Sequence, residues 1–286
     1  MRIYVMTDLE GVCGVMNYRD WCEPQSRYYE KAKELLTAEV NVAIEGFVAG
    51  GATEILVLDG HGHGGVEAAR LHAAATLMRG WPSGWPFLLE KGRYDAVAYV
   101  GQHAKAGTTF AHLAHTGSFA TREESINDVS IGEFGAFALC AGELDIPVIF
   151  VSGDEAFVQE AQSLVPGVET VAVKRGMQSD PGHALPAEGY ARHNTAAIHL
   201  SPQEACRRIR VGAQRAIERS RSESFGVVKL AAPYRRVRIM RSDELNPPRV
   251  SRTEHPHRIA SLLNEPFRFD SIQGIDPLEY AGGGHL

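Results

Sequence analysis

The chain has 286 residues, of which 44% are hydrophobic and 22% are charged, a balance that provides material for a core and argues against a disordered protein. The net charge of −6 disfavours nucleic-acid binding, because that function needs a basic surface to neutralise phosphates. The N-terminal apolar run is interrupted at Asp8, and no later run approaches the roughly 18 apolar residues of a membrane span, so neither a signal peptide nor a membrane anchor is expected.

Strand-like and helix-like segments alternate over the first part of the chain. The predicted strands are residues 2–7, 54–58, 75–78, 95–100, 147–151 and 171–173. The predicted helices are residues 26–49, 130 or 132 to 144, and 154–164. This alternation predicts an α/β fold with a largely parallel sheet flanked by helices.

The pattern changes after about residue 175. Residues 176–190 are rich in glycine, proline and aspartate and predict a loop, and 202–220 predict an amphipathic helix. Strand-like runs follow at 227–230 and 237–240, before a proline-rich segment. We therefore predict a catalytic α/β domain over 1–180 and a smaller C-terminal α+β region over 181–286, which would line a channel or an oligomer interface.

The cysteines show no disulfide or zinc-site pattern, and with neither a signal peptide nor a membrane anchor expected, a reducing location is the default. The four residues, Cys13, Cys22, Cys140 and Cys206, form no CxxC pair and have no regular spacing. They predict neither a disulfide framework nor a structural zinc site of thiolates. We expect a cytoplasmic protein.

Three predicted strands are each followed by side chains that can bind a metal ion. Asp8 and Glu10 follow the first strand, His61 follows the second, and His103 follows the strand at 95–100. Ligands of open parallel sheets bind beyond the carboxyl ends of the strands, so these side chains are expected to meet there.

Asp8 and Glu10 are two residues apart, which in an extended segment points both side chains the same way. Two uncompensated carboxylates would repel each other, and a divalent cation removes that penalty. Zinc accepts carboxylate and imidazole ligands together. The alternative is that one carboxylate caps a turn and the other is solvated.

Some assignments stay open on the residues alone. Either His61 or His63 of the GHGHGG segment can be the ligand, with the strand end favouring His61, and the spacing of the glycines is only a weak match to a dinucleotide-binding loop. His115 is a candidate for acid/base chemistry or oxyanion stabilisation, and His112 can exchange roles with it. Glu133 is either a metal ligand or a first-turn glutamate that favours the helix dipole.

Five motifs together resemble the D-aminopeptidase DppA family, peptidase family M55. They are TDLEG at 7–11, DGH at 59–61, GQHA at 101–104, AHTGS at 114–118 and NDVSIGEFG at 127–135. The resemblance runs from residue 1 to about 175 and continues more weakly through the helix after 200–202.

The resemblance implies an aminopeptidase with two zinc ions per chain, held by Asp8, Glu10, His61, His103 and Glu133, with Asp8 bridging the ions. It implies that His115 is the catalytic histidine. The substrates would be short peptides with an N-terminal D-residue, such as D-Ala-D-Ala, and the assembly a homodecamer of two five-fold rings. No other cofactor, nucleic acid or membrane partner is expected.

Two other functions fit the same residues less well. One is a di-metal hydrolase of a different amide or ester. The other is a non-catalytic peptide-binding protein of a transport system, which would not need five converging metal ligands. Ligand type narrows the native metal to zinc, manganese or cobalt.

Overall fold

The protein contains twelve strands and seven α-helices in the part of the chain that this computed structural model describes, residues 1–80 and 84–272. The strands are β1 (Arg2–Thr7), β2 (Glu54–Asp59), β3 (Ala75–Met78), β4 (Ala96–Gln102), β5 (Thr121–Ile126), β6 (Val129–Ser130), β7 (Val148–Asp154), β8 (Glu169–Gly176), β9 (Ala197–His199), β10 (Tyr234–Met240), β11 (Arg249–His255) and β12 (Phe269–Ser271). The α-helices are α1 (Tyr18–Trp21), α2 (Tyr29–Gly50), α3 (Glu133–Glu143), α4 (Glu155–Leu164), α5 (Ala187–His193), α6 (Pro202–Arg219) and α7 (Ile259–Asn264).

The larger sheet has seven strands in the order β3-β2-β1-β4-β7-β8-β9. All neighbours are parallel except β9, which runs antiparallel to β8. The chain moves outward from β1 through β2 to β3 and then returns to place β4 on the other side of β1. The order therefore reverses between β1 and β4, and the carboxyl end of such a switch point is where ligands bind in open α/β sheets.

The two faces of this sheet are covered by different helices. Ile3 and Val5 of β1 pack into the core that contains α2 and α6, whereas Tyr4 and Met6 pack into the core that contains α3 and α4. This is the alternation of a strand that is buried on both faces. The largely parallel α/β sheet predicted from the sequence is confirmed.

A second sheet is antiparallel, with the order β12-β11-β10-β5-β6. It takes β5 and β6 from before residue 180 and the other three strands from after it. Its apolar face packs with α7 against the outer side of α3. The proposed division near residue 180 stays a prediction, and residues 273–286 of the C-terminal region lie outside the described residues.

Several predictions for individual elements were wrong. Residues 227–230 form no strand, although Val228 and Leu230 are partly buried against α3. The predicted loop at 176–190 already contains the start of α5, and β11 lies inside the segment taken as proline-rich. Within residues 1–80 and 84–272, no helix combines the length and apolarity needed to cross a membrane.

Candidate metal centre

The loops that follow β1 and β4 pack backbone to backbone. The amide of Gly11 donates to the carbonyl oxygen of Gly101 at 2.7 Å, and a Cβ on Gly11 would lie 2.0 Å from the carbonyl oxygen of Gln102. Gly101 has φ of +80°, and a Cβ there would lie 2.2 Å from the carbonyl oxygen of Asp8. Only glycine fits at both positions, and this close approach brings Asp8 beside His103.

Asp8 lies between two imidazoles and presents one oxygen to each. Its Oδ1 is 3.4 Å from Nδ1 of His61, and its Oδ2 is 3.1 Å from Nε2 of His103. Glu10 Oε2 is 3.1 Å from the same nitrogen of His61. Residues 9–11 form a bend and a turn rather than an extended segment, yet both carboxylates face His61.

Each of three histidines is held by a backbone carbonyl on the side away from the carboxylates. Nε2 of His61 donates to Cys22 O at 2.7 Å, and Nδ1 of His103 donates to Ala104 O at 2.8 Å. Nδ1 of His115 donates to Leu113 O at 2.8 Å. Since a carbonyl oxygen only accepts, these bonds fix the tautomer and leave the other nitrogen of each ring for a metal ion or a substrate.

In the metal-free chain, the carboxylates favour protonated His61 and His103, so protons occupy the positions where a cation would bind. Burial alone would raise the pKa of Asp8, but hydrogen bonding to His103 and His61 holds it well below its usual value. Burial would lower the pKa of His61, but Glu10 and Asp8 raise it to about 12. Against the same effect of burial, Asp8 and Glu133 raise the pKa of His103 to about 10.

Glu133 is both the first residue of α3 and part of the cluster. Its Oε1 lies 3.8 Å from Nε2 of His103 and 3.9 Å from Nε2 of His115. The same oxygen accepts a hydrogen bond from the amide of Gly117 at 2.7 Å. The sequence left open whether Glu133 is a first-turn glutamate or a member of the metal-binding cluster. In the structure its position fits both descriptions.

The structure separates His115 from His112. The ring of His115 stacks on that of His103 with centroids 3.9 Å apart, and it lines the central cavity. Burial, followed by the charge of His103, lowers the pKa of His115, which favours the neutral imidazole. His112 is fully buried outside that cavity, and its Nε2 donates to Met16 O.

The residues present fit a divalent metal ion. Ligand atoms of Asp8, Glu10 and His103 all lie within 4.8 Å of one another, as do those of His103, His115 and Glu133. Nε2 of His103 is buried and makes no well-aligned hydrogen bond to any of the described residues. A buried imidazole nitrogen that has carboxylate oxygens nearby but no aligned hydrogen bond matches the nitrogen and oxygen ligands that zinc prefers.

His63 differs from His61 in its position. His61 is buried at the cluster, whereas His63 is exposed at the rim of the cavity, with the ring centroids 6.4 Å apart. The structure therefore places the strand-end histidine with the carboxylates.

The cavity that contains the cluster has a volume of about 430 Å³ and extends onto an apolar wall. Sequence reasoning missed this wall, which is formed by Met6, Trp85, Phe87, Tyr99 and Phe137. It also missed the amide of Gln102, whose position directly before His103 at the strand end is a signal that was present in the sequence.

Gln102 and Tyr99 add polar groups to the cavity. Nε2 of Gln102 donates to Oδ2 of Asp8 at 3.0 Å, so it orients that carboxylate. The hydroxyl of Tyr99 is buried and has no hydrogen-bond partner among the residues that the structure describes. Burial raises the pKa of Tyr99 well above its usual value, so the hydroxyl is a neutral donor available to a bound ligand.

Comparison with known proteins gives three findings. A family model described as Peptidase_M55, D-aminopeptidase, matches residues 1–262. A D-aminopeptidase of Bacillus subtilis (strain 168) is 34% identical over 179 residues, which span 61% of this chain and 64% of that protein. A solved structure, described as the Zn-dependent D-aminopeptidase DppA from Bacillus subtilis, a self-compartmentalizing protease, has a TM-score of 0.75 at 23% identity and covers 92% of this chain and 94% of that one.

Proposed function

The chain belongs to the M55 family of D-aminopeptidases, and from this premise we propose that it is a zinc-dependent aminopeptidase acting on short peptides that begin with a D-residue. One observation carries the proposal. His61, His115 and the carboxylates of Asp8, Glu10 and Glu133 line one cavity, and the free Nε2 of His103 lies 3.1 Å from Oδ2 of Asp8. A protein that only binds peptides has no need of this arrangement.

We assign two zinc ions to each chain. The proposed ligands are Asp8, Glu10, His61, His103 and Glu133. Asp8 would bridge the ions, which is supported by its two oxygens facing different imidazoles. When bound, zinc polarises a carbonyl oxygen and lowers the pKa of water from 15.7 toward about 7, which supplies a nucleophile at neutral pH.

The other steps fall to side chains of this chain. His115 keeps its proton on Nδ1, which donates to Leu113 O, so its Nε2 faces the cavity without a proton. Once this nitrogen has taken up the proton that the attacking water loses, it would donate to the oxyanion or protonate the leaving amine. Glu133 lies 3.9 Å from that nitrogen, so it can hold the proton that the attacking water loses and pass it on. Glu10 is the second candidate for this proton transfer.

The assembly is part of the proposal. The solved relative is described as self-compartmentalizing, and the present chain matches its fold over 92% of its length. We propose a homo-oligomer, with a homodecamer as the size to test by light scattering on the purified protein.

The proposal is tested by elemental analysis of bound metal, with cleavage of D-Ala-D-Ala and L-Ala-L-Ala assayed on the same samples. We expect close to two zinc ions per chain with D-selective cleavage, and loss of both in Asp8→Ala. The control is Asp270→Ala, since Asp270 is exposed and does not line the cavity. Metal without peptide cleavage would move the function to another amide or ester, and peptide binding without metal would favour a transport protein.

A further inference from the structure

An apolar wall lies directly beside the metal-binding side chains, in the same cavity. Phe87 and Phe137 stack with ring centroids 6.1 Å apart and an interplanar angle of 12°, and Trp85 packs on Phe87 at 4.6 Å. Tyr99 meets Phe137 at 5.9 Å. The metal-binding cluster does not use these rings, although they line the cavity with it.

The wall is built from the same elements as the cluster. Met6 precedes Asp8 by two residues at the end of β1. Phe137 follows Glu133 by four residues on α3, so the two side chains lie on one face of the helix, one turn apart. The wall is therefore adjacent to the metal-binding side chains. A substrate whose carbonyl lies at the cluster would place its nearest side chain against these rings.

The loop that supplies Trp85 and Phe87 is held in a fixed and costly conformation. The Asn264 side chain at the end of α7 accepts from the amide of Trp85 at 3.0 Å and donates to its carbonyl at 2.8 Å. Phe87 and Leu88 have φ of +55° and +64°, in the left-handed region that disfavours large residues. Strain of this kind persists where the surrounding structure enforces it, and it is concentrated at ligand sites.

We infer that the wall of Trp85, Phe87 and Phe137 is the subsite for the side chain of the N-terminal residue, and that the chain selects bulky apolar or aromatic residues there over alanine. The inference rests on the proposed aminopeptidase function. The scissile carbonyl belongs to the N-terminal residue, so the side chain one bond away reaches the wall beside the cluster. An alanine methyl would leave the partly exposed rings of Trp85 and Phe87 uncovered in a cavity of about 430 Å³, whereas a benzyl side chain would cover them. Phe137, which is 1% exposed, packs against both rings and supports them.

The first experiment compares D-Phe-D-Ala with D-Ala-D-Ala on the zinc-loaded protein. We expect kcat/KM to be higher for D-Phe-D-Ala by about tenfold or more. A side chain that fills an apolar pocket is favoured by roughly that factor over one that leaves it empty. In Phe87→Asn the ring is lost while the residue still suits a positive φ. This variant should lower the value for D-Phe-D-Ala by about tenfold and change that for D-Ala-D-Ala much less. Trp85→Ala should act in the same direction.

The matched control is Phe110→Asn. Phe110 has φ of +54°, is 56% exposed and does not line the cavity, so the same substitution occurs in the same backbone conformation away from the wall. It should leave the ratio of the two substrates unchanged. Equal rates for the two peptides, or a ratio that Phe87→Asn and Trp85→Ala do not change, would overturn the subsite.

A binding measurement separates this inference from the proposed function. D-phenylalanine hydroxamate and D-alanine hydroxamate are titrated into the zinc-loaded protein by calorimetry. Tighter binding of the phenylalanine compound, reduced in Phe87→Asn, supports the subsite even if neither peptide is cleaved, and in that case the aminopeptidase proposal alone fails. Equal affinities together with cleavage of D-Ala-D-Ala would refute the subsite and leave the aminopeptidase proposal standing.

Discussion

Nε2 of His103 lies 3.1 Å from Oδ2 of Asp8, and the amide of Gln102 donates to that same oxygen at 3.0 Å. The carboxylate is therefore oriented by the residue that immediately precedes its histidine neighbour. In metal sites, such outer hydrogen bonds hold the ligand in its binding orientation.

Gln102→Leu should lower zinc affinity by about 10- to 100-fold, the usual cost of removing an outer hydrogen bond to a ligand. The measurement is a competition titration against a zinc chelator, with activity followed at rising zinc concentrations. Activity should recover when zinc is in excess. The control is Gln162→Leu, since Gln162 is exposed and donates to Thr170 on the surface. An affinity equal to that of the wild type would show that Gln102 does not position Asp8.

His115→Ala should keep both zinc ions and lose about 10²- to 10⁴-fold in kcat, the range for removal of a general acid or base. Elemental analysis and kinetics on the same sample test both halves of the statement. The ligand atoms of His115, His103 and Glu133 lie within 4.8 Å of one another, so His115 could also bind a metal ion. The metal content of the variant therefore decides whether His115 is a zinc ligand or an acid/base residue. Loss of one zinc ion would make His115 a ligand, and full activity with both ions would remove it from the reaction. His72→Ala, outside the cavity, serves as control.

The meeting of Asp8, His61 and His103 was predictable because parallel strands deliver their carboxyl ends to one edge of a sheet. The second sheet was not predictable from hydrophobic pattern. In β5, Glu124 is buried and pairs with Arg236 at 2.7 Å and with Arg238, so charged residues occupy positions where a pattern search expects apolar ones. Buried charges of this kind are stable only through partners that are distant in sequence.

The aromatic wall was missed for a different reason. Trp85 and Phe87 lie in an irregular segment whose direction is fixed by Asn264, which is 179 residues from Trp85 along the chain. No periodicity encodes such a loop. The error at 227–230 has the same origin, because Val228 and Leu230 bury their side chains against α3 without a partner strand.

Tyr99→Phe should stabilise the free protein and weaken ligand binding. The buried hydroxyl lacks a partner among the described residues, so its removal relieves a desolvation cost of about 1 kcal/mol. In the complex, the hydroxyl is expected to donate a hydrogen bond to the bound peptide, so the same change should raise KM several-fold. Urea unfolding of the metal-free protein and steady-state kinetics measure the two effects. A destabilised variant with unchanged KM would show that the hydroxyl serves the fold.

Glu39→Gln should change how the stability of the protein depends on pH. Glu39 is buried in α2, where burial raises its pKa to about 8, although the Cys13 amide and the Lys174 charge act the other way. Between pH 4.5 and about 8 the folded chain thus keeps a proton that the unfolded chain has lost. Stability from this group is present below pH 4.5 and falls by roughly 1.4 kcal/mol per pH unit across that window.

The glutamine variant has no such proton to lose, and its Oε1 can still accept from the Cys13 amide that Glu39 binds at 2.9 Å. Its free energy of unfolding relative to wild type should therefore rise as pH increases from 4.5 and level off above about 8. Urea unfolding at pH 5, 6, 7 and 8 measures this difference. Glu45→Gln, on the exposed side of the same helix, is the control. A difference that stays constant across the series would mean that Glu39 is ionised in the folded chain, with Lys174 compensating its charge.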